Sequence, residues 1–189
     1  MTARPLLLVT GFGPFPGVPD NPSGAVVSAI AGLSIKGVDA QVLETRWTVG
    51  DGLAERAAAA RCVLMFGVAP IHRMRYERAA LSGAAHRPDV AGRLPTTPPS
   101  RWRYSAFDVP QLVVAARAAG HTITLSHSPG QYICNAAYNA ALSTNANTLF
   151  VHIPAPVGRS AISMDAVLSH AMWLMRTLPG APLRGLRRT

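Results

Sequence analysis

Charge is scarce in this chain: 14% of its 189 residues are charged, and only nine of them are acidic. With 49% hydrophobic residues beside so little charge, a disordered chain is excluded, and a length of this order buries about 70% of its unfolded surface. Cysteine is nearly absent. Cys62 and Cys134 make no disulfide framework and have no metal-ligand spacing, so a disulfide-stapled scaffold is excluded and a reducing, cytoplasmic setting is expected. Long apolar runs are missing too, because Arg61, Gly67 and Pro70 break the longest candidate well short of the ~18 residues of a membrane span. The run Leu6–Val9 after Arg4 is too short for a signal peptide and leads straight into the loop 11–17, so it reads as a first buried strand. Aromatic residues make up 6% and do not interleave with the arginines as a single-strand nucleic-acid groove requires.

What is present is arginine: eighteen Lys+Arg give a formal charge of +9. These residues are scattered, clustering only in the tail at Arg184, Arg187 and Arg188, so a solvated basic face is expected and nucleic acid is not an expected partner. Along the chain, residues 5–12 read as a buried strand closing on a loop that carries Phe12 and Phe15. Asn21-Pro22 then supplies an N-cap and a first-turn proline for a helix with Val26, Val27, Ile30 and Leu33 at helical spacing. A second strand is expected over 38–49 and a helix over 51–60. The continuous apolar run 61–67 has the pattern of a strand covered on both faces, and Cys62 within it is read as packing. Residues 68–77 read as a polar stretch beyond a strand end, and 86–102 as an irregular excursion placed to cover a site. A helix over 108–120, strands over 121–125 and 147–154, and a helix from Ser160 to 178 complete the pattern. Alternating strands and helices imply one α/β domain over 1–189, with a largely parallel central sheet between two helical layers in a three-layer α/β/α sandwich.

The chemically specific stretch is Ser128–Asn135. Cys134 lies between a strand and the alanine-rich helical run Asn135–Ala141, where a helix N-terminus lowers a thiol pKa and favours the nucleophilic thiolate. A cysteine nucleophile needs a base and a group that orients the base. His152, at the end of strand 147–154, and Glu77, beyond another strand end, can supply them. The residues alone leave alternatives open, since His72, His121 and His127 also fall near loop ends and a histidine at a strand end is more often structural.

Four ordered segments resemble the pyroglutamyl-peptidase I family of cysteine peptidases (C15). They are Val9–Gly17 with Asn21-Pro22-Ser23; Arg73-Met74 with Glu77–Leu81; Ile133-Cys134-Asn135; and Phe150–Pro154. The resemblance implies an α/β/α fold and removal of N-terminal pyroglutamate from peptides by Glu77, Cys134 and His152, without metal or cofactor, in dimers or tetramers. It also implies that Phe12 and Phe15 flank the flat lactam ring, that Asn21 stands at its polar edge, that Ile133 adds backbone contacts beside the nucleophile, and that Arg73 supports the oxyanion region. Aromatic walls with few polar groups suit a lactam, which has two apolar faces, one donor and one acceptor. The chain departs from the family pattern Gly-Gln-Ala-Gly-Gly-Arg, with Val68 where the glutamine stands and one residue fewer before Arg73. A lactam group left unpaired there costs about 1–3 kcal/mol, which makes a protein that keeps the fold but only binds an acidic partner or nucleic acid, or that cleaves another small amide, the alternative.

Overall fold

A computed structural model of the chain describes residues 6–83, 87–96, 101–126, 130–155 and 162–181. The central sheet is built from β1 (Leu7–Phe12), β2 (Val38–Leu43), β3 (Cys62–Ala69), β4 (Met74–Glu77), β7 (Ile123–Ser126) and β8 (Thr148–Pro154), while β5 (Ala79–Leu81) and β6 (Trp102–Tyr104) pair as a separate antiparallel ribbon. The helices are α1 (Pro22–Gly32), α2 (Leu53–Ala59), α3 (Val109–Ala118), α4 (Ile133–Thr144) and α5 (Met164–Thr177). The sheet order is β2-β1-β3-β8-β4-β7. Its first four strands are mutually parallel, and β4 turns antiparallel against β8 while pairing parallel with β7.

Strand alternation sorts the apolar side chains into two cores. Leu7, Val9, Cys62, Leu64, Phe66, Leu149 and Val151 face one way and pack with α1, α3 and α5. Leu8, Val63, Met65 and Phe150 face the other way and pack with α2 and α4. This is why β1 and β3 read as continuous apolar runs: both faces are covered. The three-layer arrangement and the mostly parallel sheet are as expected from the alternating pattern. Close approach of α1 to β1 depends on glycine, because a Cβ on Gly11 would collide with the Ser23 carbonyl and one on Gly24 would lie 2.5 Å from the Phe12 oxygen.

Several boundaries differ from expectation. The second strand stops at Leu43, and Trp47–Gly50 forms a 3-10 turn, because the chain bends inward to bury Thr45, whose hydroxyl donates to the Gly13 carbonyl at 3.2 Å. The polar stretch 68–77 contains β4, a strand of the central sheet. Met74 and Tyr76 are buried on one face and charged Arg75 and Glu77 alternate with them, so the charges masked the period of two. The excursion 86–102 ends in β6. Helix α5 begins at Met164 with Ser163 as its cap, the Ser163 hydroxyl accepting from the Ala166 N–H. Ser160, His86, residues 97–100 of the excursion, His127, Ser128, Pro129 and the basic tail at 184–188 lie outside the described residues. Among the described residues no helix is long and apolar enough to cross a membrane.

Candidate active site

His152 occupies the fifth position of β8, between Gly67 on β3 and Arg75 on β4 in the strand register. Because β4 runs against β8, the chain after Arg75 travels down into the sheet, and Glu77 comes to lie opposite Phe150, one step deeper than His152. Glu77 and His152 are therefore diagonal neighbours on one face. The His152 Nδ1 lies 2.6 Å from Glu77 Oε1, and the same oxygen accepts from Arg75 Nε at 2.9 Å. Both Glu77 and His152 are buried. A carboxylate that already accepts from a guanidinium is an acceptor toward the ring as well, so Nδ1 carries the proton and Nε2 is left as the basic nitrogen. The Tyr138 hydroxyl donates to the Glu77 carbonyl at 2.9 Å and ties α4 to the end of β4.

Cys134 is the second residue of α4, after Ile133. Its sulfur packs over Gly67, where a Cβ would come within 2.9 Å of Sγ and 2.6 Å of Phe150 Cζ. Burial pushes the thiol up to about 12, against the pull of the Val68 and Cys134 backbone N–H groups and with a further push from the negative Glu77. The lowered thiol pKa expected at a helix N-terminus is thus not what the site produces: desolvation exceeds what two N–H donors return. Cys62 is likewise pushed up to about 11 by burial, slightly offset by Arg61.

Cys134 and His152 line one cavity of about 410 Å³. Phe12, Phe15, Pro16, Val18 and Tyr132 give it apolar walls, and Asn21, Val68, Arg75, Arg87 and Asn135 also line it. Phe12 serves both cavity and core, being almost wholly buried. Phe15 is half-buried on a tight turn in which it pairs with Val18. Asn21 is occupied structurally: its Oδ1 accepts from the Ser23 N–H at 3.0 Å and the Ser23 hydroxyl at 2.8 Å, and its Nδ2 donates to the Gly13 carbonyl at 2.8 Å. It fixes the loop that carries both phenylalanines. The Ile133 side chain is buried in the core with Phe150 and Ala137, leaving only its backbone near the nucleophile. Arg73, expected beside the oxyanion region, is not there. It is exposed and lines a different cavity with His72, Met74, Gly120 and His121, because it precedes β4 on the far side of the turn, and Arg75 is the arginine that reaches the cavity of Cys134. Among the described residues no group of three or more His, Cys, Asp or Glu could hold a metal ion.

The structure brings a thiol and an imidazole to one partly apolar space with a carboxylate behind the ring, the groups that acyl transfer through a thioester uses. The sequence profile of the pyroglutamyl peptidase family (C15) matches residues 6–172. The chain belongs to this family. A pyrrolidone-carboxylate peptidase of Mycobacterium marinum is 33% identical over 144 residues, covering 68% of this chain and 65% of that relative, so the chain spans about two thirds of its length. The pyrrolidone carboxyl peptidase of Thermus thermophilus superposes with a TM-score of 0.77 at 25% identity, covering 87% of this chain and 96% of the other. That of Fervidobacterium islandicum AW-1 gives a TM-score of 0.80 at 20% identity over 93% and 99% of the two chains, a likeness of fold.

Within this family member the sequence reading missed the residues that hold the site together. Asn135 binds the Leu81 backbone twice, accepting from its N–H at 2.9 Å and donating to its carbonyl, and so docks the first turn of α4 on β5. Asp89 is buried, and its carboxylate accepts from the N–H groups of Trp47, Ala91 and Arg93. Burial pushes Asp89 up, but those three N–H groups and the Arg93 guanidinium outweigh it and hold the carboxyl below its ordinary range. Asn135 stood in the segment Ile133-Cys134-Asn135 that resembles the family, but nothing in the sequence gave it a partner; for Asp89 the signal was an acid in an excursion nearly devoid of them.

Proposed function

We propose that the protein is a cysteine peptidase that removes an N-terminal pyroglutamyl residue from peptides. In this reading Cys134 Sγ attacks the pyroglutamyl carbonyl carbon while His152 Nε2 takes the thiol proton, which then passes to the leaving amine. Water next attacks the thioester with His152 as base, releasing pyroglutamate and the thiol. Glu77 orients His152 and stabilises its charged form, and backbone N–H groups at the start of α4, those of Ile133 and Cys134 included, bind the developing oxyanion. Phe12 and Phe15 face the lactam ring, with Asn21 holding their loop at its polar edge and Val68 leaving one polar group of the lactam to other partners. The observation that carries the reading is the shared cavity of Cys134 and His152 with Glu77 2.6 Å behind the imidazole.

Two free cysteines support a reducing, cytoplasmic setting, and assembly into two or four copies belongs to the same reading, tested by light scattering. The activity is tested with pyroglutamyl-p-nitroanilide. Nitroaniline release by the wild type that vanishes in Cys134→Ser supports the peptidase; no release by the wild type at any pH from 6 to 9 would sink it.

A further inference from the structure

Among the described residues, two arginines and no acidic residue line the cavity that holds Cys134. Arg75 is already engaged by Glu77. Arg87 has no ion-pair partner among the described residues: its guanidinium carbon lies 4.7 Å from the centre of the Tyr132 ring, a cation–π contact that leaves the N–H edges available. The neighbouring acid, Asp89, directs its oxygens at the Trp47, Ala91 and Arg93 N–H groups and, at 3.6 Å, the Arg93 guanidinium. The backbone around Arg87 is held as well. Trp47 Nε1 donates to the Arg87 carbonyl at 3.0 Å, and the Tyr132 hydroxyl donates to the Pro88 carbonyl at 3.0 Å. Trp47 and Tyr132 meet edge to face with ring centres 5.4 Å apart. Tyr132 is the N-cap of α4, two residues before the nucleophile. An exposed guanidinium with no carboxylate partner among the described residues, lining the same partly apolar cavity as the Cys134 sulfur, suits a carboxylate brought by the substrate.

We propose that Arg87 is a specificity-determining residue, selecting substrates with a carboxylate on the residue that follows pyroglutamate. This deepens the peptidase reading and rests on it. The pyroglutamyl group itself carries no charge, so the carboxylate must come from the leaving side, either as the free C-terminus of a pyroglutamyl dipeptide or as an acidic side chain. The terminal carboxyl carbon is two bonds from the scissile nitrogen and that of a glutamate side chain four, so both stay within roughly 5 Å of it.

The test compares pyroglutamyl-alanine with its C-terminal amide, and pyroglutamyl-glutamic acid amide with pyroglutamyl-glutamine amide, in wild type, Arg87→Gln and Arg87→Lys. In at least one pair, wild type should favour the carboxylate substrate about tenfold in kcat/KM, or ~1.4 kcal/mol. That ratio should fall to about one in Arg87→Gln, survive in part in Arg87→Lys, and shrink with added salt. A wild-type ratio of one in both pairs, or a preference that Arg87→Gln leaves intact, overturns the proposal. If wild type cleaves none of the four, the peptidase reading fails separately, and the carboxylate preference is then read by calorimetry on Cys134→Ser protein with and without Arg87→Gln. Tighter binding of the carboxylate form, lost with Arg87, supports it; equal or undetectable binding of both forms overturns it.

Discussion

His152 and His170 are both buried, at 5% and 0% exposure, yet their surroundings prepare them for opposite behaviour. His152 meets a carboxylate, Glu77, at 2.6 Å, a partner able to stabilise an imidazolium that forms during proton transfer. His170, on α5, has the Tyr76 hydroxyl at 2.8 Å as its hydrogen-bond partner among the described residues, stacks on Trp173 with ring centres 5.8 Å apart, and has His121 against its edge at 4.5 Å. Its Nδ1 has no hydrogen-bond partner among the described atoms. Burial, and then the neighbouring His121, pull its pKa down to about 3. The contrast teaches that burial among neutral rings and a second imidazole favours the uncharged form, whereas His152 has an acid one strand away that can balance a positive ring.

The comparison breaks first on activity. His152→Ala should lower kcat for a pyroglutamyl anilide by on the order of 10³–10⁴, whereas His170→Gln, which keeps an acceptor for Tyr76, should stay within about threefold of wild type. Comparable losses in both variants would show that His152 serves packing as His170 does. A second test follows the sulfur across the same sheet. With the Cys134 thiol pushed up to about 12, its alkylation by iodoacetamide should speed up roughly tenfold per pH unit between 6 and 9, without a plateau. A plateau beginning near neutral pH would mean that the thiol and His152 rest as an ion pair.

The smallest effect concerns stability against pH. His170 has its folded pKa lowered to about 3 from an ordinary 6.5, so the folded state binds fewer protons than the unfolded one between those limits. Its contribution is fully present above pH 6.5 and is lost as the pH falls toward 3, at up to about 1.4 kcal/mol per unit. His121, held low by burial, acts in the same direction. Urea unfolding midpoints should therefore fall more steeply from pH 7 to pH 5 in wild type than in His170→Gln, and parallel curves would refute the link.

Much of this was legible before the fold was known. β3 announced itself as an unbroken apolar run because a strand covered on both faces has no polar side to show. Cys134 stood out because the Pro129-Gly130 pair and an alanine-rich helix frame it, and Asn21-Pro22 marked the start of α1 with the cap it forms. β4 was illegible for a physical reason: its alternate positions are Arg75 and Glu77, whose charges suit the site rather than the strand. Asn135 and Asp89 were hidden because each holds a backbone group far along the chain, Leu81 for the one and Trp47 for the other. Nothing local distinguishes Arg73 from Arg75 either. Two residues apart in sequence, they reach different cavities because the strand begins between them.

Residue order alone therefore determined the class of fold, the family and the identity of the candidate nucleophile, since hydrophobic period, caps and motif spacing are local properties. The reversal of β4 against β8, the depth at which Glu77 meets His152, the raised pKa of Cys134 and the placing of Arg87 over Tyr132 were decided only in three dimensions. Each depends on which distant groups share a desolvated space, and electrostatic energy in such a space follows distance and burial, quantities that no stretch of sequence contains.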